Sequence, residues 1–296
     1  MIEYDVYYDE SKEDGYWHGI LFVPIETNAK LTSLLGEARN DYPFKHRLHF
    51  VCLGANEPTD SLRTKLTESY INIGCSALQQ QKFEKFQSKA KVGKFPKVID
   101  PIRAKFVAYR AILNTEEMYG INRGALISRT LKSALKGAIH YLFDETNDIG
   151  INRIFFEGED PAGVADAEIM YQLKNQKRDY IKKLPENFIF QTSDHNKLDE
   201  ARHINDSYIL QLCDLLIGAT RFSVISNVKE SSSRYKASLP VRKILEYSNK
   251  PYARMKESRF YRGFSLAQAE KRGGEWVFNN LQSIQRENMS NQVKLI

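Results

Sequence analysis

Cysteine is scarce in this chain. Cys52, Cys75 and Cys213 are all it has, with no Cys-x-x-Cys pair and no Cys/His spacing. That excludes a disulfide frame or a cysteine-bound zinc site, and the three read as reduced thiols of a cytoplasmic protein. Long apolar runs are missing too. None reaches the roughly 18 residues needed to cross a bilayer, so no membrane partner is expected. The opening MIEYDVYYDE is acidic where an export leader is basic and then apolar, so export is not expected. No internal repeat appears, which sets aside repeat architectures. What remains is an ordinary globular composition, 42% hydrophobic and 27% charged over 296 residues. That length suits one large domain or two small ones with most apolar surface buried.

The net charge of +6 is unevenly placed. From Asn227 to Ile296 stand 14 Lys and Arg against 6 Asp and Glu, while the first 226 residues hold 29 against 31. A second basic stretch, KFEKFQSKAKVGKFPK (82–97), sets Lys82, Lys85, Lys89, Lys91, Lys94 and Lys97 against Glu84 alone. Phe83, Phe86 and Phe95 lie between them. Lysines suit a phosphate backbone and rings suit unstacked bases. The same composition also serves a solvated loop and a solubilising tail. In the tail, Arg242, Lys243, Arg254, Lys256, Arg259 and Arg262 mix with Tyr and Phe. That mixture suits a nucleic-acid strand, and equally a protein interface.

Hydrophobic periodicity orders the chain. Residues 2–10 alternate, with Ile2, Tyr4, Val6 and Tyr8 on one side and Glu3, Asp5, Tyr7 and Asp9 on the other, which predicts a strand. SKEDG is a turn and 16–25 a second strand, so the chain opens on a hairpin. Residues 28–40 predict a helix, 46–54 a third strand and 59–72 a helix. Asp100 and Pro101 predict a helix start and Gly120 a stop, giving a helix over 100–120. Helices follow at 125–145, 164–183 and 204–222, with strands at 151–159 and 187–194 between them. Residues 229–240 read as a linker. The whole is α/β: a three-strand antiparallel meander plus parallel strands, flanked by helices. A helical insertion is expected at about 56–147, within a domain spanning 1–226, and a basic extension from 227 to 296.

The last helix carries the sharpest chemical signal. It is apolar almost all round, hence buried, yet Ser207, Gln211 and Asp214 fall on one face. A buried carboxylate needs a hydrogen bond, a cation or a metal. Gln211, a loop amide, or a Lys or Arg would serve Asp214, and so would a site. Asp9 and Glu157 both stand at the ends of predicted strands, where open α/β sheets form their sites. Three carboxylates brought together suit hard divalent cations such as Mg²⁺ or Mn²⁺. The acids around Glu157 also suit a polar turn before a helix.

YYDES in the first strand and LQLCDLLIGA in the last helix resemble the signature of the domain-of-unknown-function 3800 family, which is bacterial and phage-associated. The resemblance covers about residues 4–222. It implies a ribonuclease H-like fold and a nuclease in phage defence or mobile-element biology, with two Mg²⁺ or Mn²⁺ ions, nucleic acid as substrate and a protein partner from the same operon. It carries over Asp9 and Glu10, then Gln211 and Asp214, with Glu157 as the fourth-strand acid and Asp9, Glu157 and Asp214 as metal ligands. His49 matches a third-strand histidine of part of the family and would act as proton shuttle or outer ligand with Glu10, although a lone strand histidine also serves as a core residue. Lys12 stands where the family has Gly, and Cys213 where it has Ala. The helical glutamate of ribonuclease H has no clear counterpart; Glu116 and Glu117 qualify only if the 100–120 helix lies beside the first strand. A non-catalytic module of the same fold, binding nucleic acid or protein, is the competing expectation.

Overall fold

In the computed structural model one mixed sheet of eight strands runs through the molecule, with helices on both faces. The residues described are 1–12, 15–54, 56–80, 101–113, 119–143, 147–159, 169, 180–225, 231–248, 260–272 and 275–280. The strands are β1 (Ile2–Ser11), β2 (Tyr16–Pro24), β3 (Lys105–Ile112), β4 (Ile149–Glu157), β5 (Ile181–Lys183), β6 (Ile189–Gln191), β7 (Phe264–Arg272) and β8 (Glu275–Asn280). The helices are α1 (Ile25–Asp41), α2 (Leu62–Ala77), α3 (Arg123–Leu142), α4 (Ala201–Ile225) and α5 (Ser233–Ser248). Strand order is β5-β4-β1-β2-β3-β7-β8, with β6 also beside β4. β1 and β2 are antiparallel, as are β2 and β3 and β7 and β8; β4 runs parallel to β1, β5 and β6 to β4, and β7 to β3.

β2 is buried along its whole length, as the centre of a doubly covered sheet must be. The alternation read in β1 sorts its side chains between two cores. Tyr4, Val6 and Tyr8 join Ile20, Phe156, Leu131 and Ile139 under α3. Tyr7 joins Trp17, Phe155, Leu212 and Leu216 on the opposite face, where α1, α2, α4 and α5 pack. α4 lies against β1 and β2 below and against the other helices above, which accounts for its apolar circumference.

Several expected elements differ. Residues 46–54 form no strand, only the short 3₁₀ turn Phe50–Cys52. Their alternation is real, with Leu48 and Phe50 buried, but it docks on α4. Two amide groups that a strand would give to a neighbour go to side chains instead: Leu48 N donates to Gln211 Oε1 at 3.0 Å and Phe50 N to Asp214 Oδ2 at 2.8 Å. The third strand is β3, inside the stretch expected as a helix over 100–120. Arg103 sits in the left-handed region (φ 59°), which blocks a helix started at Pro101, and Phe106 and Ala108 then face one core while Val107 and Tyr109 face the other. The 56–147 stretch therefore holds α2 and α3 and also a strand. Residues 181–183 are β5 rather than the end of a helix, and most of the 164–183 segment lies outside the described residues. From Ser233 the expected linker is helical, with Pro240 inside α5. The basic C-terminal segment supplies α5, β7 and β8 to the same fold.

Candidate functional site

Asp9 is the last buried residue of β1 and lies on the α4 face, following Asp5 and Tyr7 at period two; it is 6% exposed. It pairs with Gly19 of β2. A side chain at Gly19 would meet Ile217 Cβ at 2.9 Å, so the glycine lets α4 lie directly on the strands. Cys213 fixes that approach, its thiol donating to Tyr7 O at 3.3 Å and Gly19 O at 3.4 Å. Asp214, three residues before Ile217, comes over Asp9 as a result. The two carboxyl groups are close enough for each to shift the other's titration.

The charge at this point is poorly balanced. Burial pushes Asp9 well above the carboxylate range, and the carboxylates of Asp214 and then Glu157 push it further. Burial also raises Asp214, but a hydrogen bond and positive charge from His49, the Phe50 amide and a hydrogen bond with Asp9 outweigh it and leave Asp214 low. The two acids titrate as a pair, with Asp9 the member pushed up. His49 Nδ1 lies 3.2 Å from Asp214 Oδ2, and this bond raises His49 above an ordinary histidine.

Glu157 follows Phe156, the partner of Tyr8, and stands on the Asp9 face. Its Oε1 pairs with Arg47 Nη1 at 2.9 Å. Its Oε2 is buried with no hydrogen-bond partner among the described residues, while Ser193 beside the carboxyl helps to lower its pKa. Burial raises Glu157, and Arg47 is the largest opposing influence.

The other expected residues separate by face. Glu10 points to the α3 side, where Arg123 Nε donates to it at 2.6 Å, while its own amide donates to Asp9 Oδ1 at 2.8 Å. Gln211 is fully used as a clamp. It accepts from Arg39 Nη2 at 2.5 Å and Leu48 N, and donates to Ser193 O at 2.6 Å. Ser207 donates to the helix backbone at Ile204 O. Of that helix face, only Asp214 reaches the other acids. Arg242 packs inward, 4.8 Å from the Tyr235 ring centre and 5.9 Å from Phe222. Arg262 lies over Tyr261, and its carbonyl accepts from Lys105 Nζ at 2.8 Å. Lys243 is exposed on α5. Lys82, Lys85, Lys89, Lys91, Lys94, Arg254, Lys256 and Arg259 lie outside the described residues, as do Glu116 and Glu117.

The sequence reading missed an open cleft of about 360 Å³ beside the carboxylates, lined by His46, Arg47, His49, Cys52, Arg63, Asp194 and Asn196. Arg63 pairs with Glu57 at 2.8 Å and stacks on Phe44. Asn196 ties the two walls together through Lys45 O at 2.9 Å. The signal available in the sequence was the cationic run KHRLH (45–49), which the strand pattern hid.

Among the described residues, no group of three or more His, Cys, Asp or Glu is arranged as metal ligands, and no helix is long and apolar enough to cross a membrane. Comparisons with family models, curated proteins and solved structures give no match.

Proposed function

We propose that this chain is a metal-dependent nuclease that hydrolyses phosphodiester bonds of DNA or RNA on a ribonuclease H-like sheet. The observation that carries the reading is Asp9, a buried acid at a strand end that faces two further carboxylates, Asp214 and Glu157. Repulsion of this kind is costly in a structural cluster and useful in a cation site. The strand order supports the fold reading. β3-β2-β1 form an antiparallel meander, and β4 and β6 continue from β1 in parallel, an order that a ribonuclease H-like reading expects. The likeness of YYDES and LQLCDLLIGA to the phage-associated family points the same way, toward phage defence or mobile-element biology.

By chemistry the donors suit a hard divalent cation, being three carboxylates, one with a buried oxygen that has no hydrogen-bond partner among the described residues, although as they stand they are not arranged as metal ligands. Asp9, Asp214 and Glu157 would hold Mg²⁺ or Mn²⁺, which when bound activates water and neutralises charge on phosphate oxygens. Asp9 would have to surrender its proton to act as a ligand. His49, half-exposed and hydrogen-bonded to Asp214, stands where it can carry protons between the cleft and solvent. The positive groups of the cleft suit a phosphate backbone.

A second reading has its own support. Asp214 Oδ2 is already engaged by Phe50 N and His49, as in a structural tie, and such a chain would bind nucleic acid or protein without cleaving it. Incubation with single- and double-stranded DNA and RNA in Mg²⁺ or Mn²⁺ separates the two. The nuclease reading expects cleavage that Asp9→Ala and Asp214→Ala each reduce at least a hundredfold, the scale of losing one charge-stabilising group. Cleavage indifferent to both changes rejects this site, and binding without cleavage in either metal supports the module.

A further inference from the structure

Arg47 stands between two roles. Its guanidinium reaches Glu157 at 2.9 Å, yet the same residue lines the open cleft. Its side chain is 31% exposed against 12% for Glu157, so the arginine has room to move and the acid does not. Its Nε is buried with no hydrogen-bond partner among the described residues, so within them the present pairing leaves part of its fork unused. The other cleft cations are committed elsewhere: Arg63 holds Glu57 and stacks on Phe44, and His49 holds Asp214. Arg47, Arg63 and His49 are thus each paired with a carboxylate as the cleft stands, and a phosphate would compete with Glu157, Glu57 and Asp214 for them.

We propose, resting on the nuclease reading, that Arg47 is an exchangeable cation: it neutralises Glu157 until a divalent ion does so, and then turns into the cleft to hold a substrate phosphate. The chemistry fits each partner. A guanidinium matches a carboxylate and a phosphate with the same two-pronged geometry, and it never loses its charge. Arg47 is a positioning residue in this scheme. It links the two binding events, so that divalent cation and phosphate each strengthen the other.

The test measures binding. A fluorescent single-stranded oligonucleotide, as DNA and as RNA, is titrated with full-length protein in EDTA and in Ca²⁺, followed by anisotropy. Thiol reactivity of Cys52, exposed in the cleft while Cys75 and Cys213 are buried, reports independently on cleft occupancy. The wild type is expected to bind about tenfold tighter in Ca²⁺ and to shield Cys52, and Arg47→Ala to lose that gain. Glu157→Gln, which frees Arg47 without any cation, is expected to bind in EDTA about as tightly as the wild type does in Ca²⁺. Wild-type binding indifferent to Ca²⁺, or absent, overturns the proposal. So does a full Ca²⁺ gain in Arg47→Ala, or a folded Glu157→Gln that binds only as the wild type does in EDTA. If Glu157→Gln fails to fold, Arg47→Ala decides through Ca²⁺ affinity measured by calorimetry, since loss of a competitor should tighten it and an unchanged value rejects the exchange. Oligonucleotides with and without a terminal phosphate, beside a closed circle, distinguish a terminal phosphate from a backbone phosphodiester. Cleavage without gating would leave the nuclease reading and remove this one. Gating without cleavage would do the reverse.

Discussion

β1 and α4 carry two sets of acids on one face of the sheet, and the sets are kept in opposite ways. Midway along β1, Asp5 receives two prongs of Arg153, at 2.5 and 3.1 Å, and Asn152 Nδ2 at 3.2 Å. Beside it Asp206 of α4 accepts Tyr7 Oη at 2.8 Å, and Tyr7 Oη accepts Asn28. Burial raises Asp206, while the Tyr7 hydroxyl and Arg153 oppose the rise. At the end of β1, Asp9 meets Asp214 and Glu157, and after burial the next two influences on Asp9 are those acids, both pushing it up. The same strand and helix thus hold one cluster satisfied within itself and another that is short of positive charge. In the proposed nuclease, that opposition is what a bound cation would relieve.

The contrast breaks most visibly at Arg153. Its removal leaves Asp5, almost wholly buried, without its cation. Arg153→Ala is therefore expected to destabilise the fold by about 3–5 kcal/mol in urea unfolding, with any cleavage by the surviving folded protein retained. A loss below about 1 kcal/mol would mean that the two clusters are not built differently.

The next effect is steric and confined to the other cluster. A Cβ at Gly218 would fall inside the Phe50 side chain, so Gly218→Ala pushes the turn that gives Asp214 its amide hydrogen bond. The expected cost is about 1–3 kcal/mol, with weakened divalent-cation binding by calorimetry. Unchanged stability would show that the turn adapts freely.

The smallest effect is in the pH dependence. Asp9 keeps its proton in the folded chain above the pH at which the unfolded chain loses it, so stability in EDTA falls as pH rises from about 3.8 toward the raised folded value. Glu157 and Asp206, also raised, act with the same sign, and His49 adds to the fall as pH rises from about 6.5 through its raised folded value. Asp214, lowered, gives stability that is lost only as pH drops through its folded value, below 3.8. Asp9→Asn removes one proton from the balance and is expected to lessen the slope above pH 4 by at most about 1.4 kcal/mol per pH unit. An unaltered slope would place the proton elsewhere.

How much of this the sequence carried depended on local periodicity. β1, β2, β4 and α4 were legible because their alternation or apolar circumference matches how they are buried. Asp214 followed from it, since it breaks an apolar helix whose burial is certain, whereas Asp9, on the polar side of the β1 alternation, was marked by its place at a strand end and by the likeness of YYDES to the family signature. Glu157 was legible as a strand-end acid, but its arginine was not. Arg47 lies in a segment whose alternation mimics a strand although its amides are taken by Gln211 and Asp214, and side-chain capping over a distance of more than 160 positions leaves no local trace. β3 was lost for the opposite reason. Asp100 and Pro101 are good helix starters, and the strand exists because β2 and β7 flank it. The basic tail looked separate because composition records charge and says nothing about which strand a segment will pair with.

That pairing sets a timetable for synthesis. β3 meets β7 through Phe106 and Phe264, so the open edge of the meander has no partner until nearly the whole chain has left the ribosome. At about 5–20 residues per second, this edge waits roughly 8–30 s, uncovered and rich in Phe, Val and Tyr. A strand edge exposed for that long is an invitation to pair with another nascent chain. β7 thus also acts as the cover that closes this edge to such pairing.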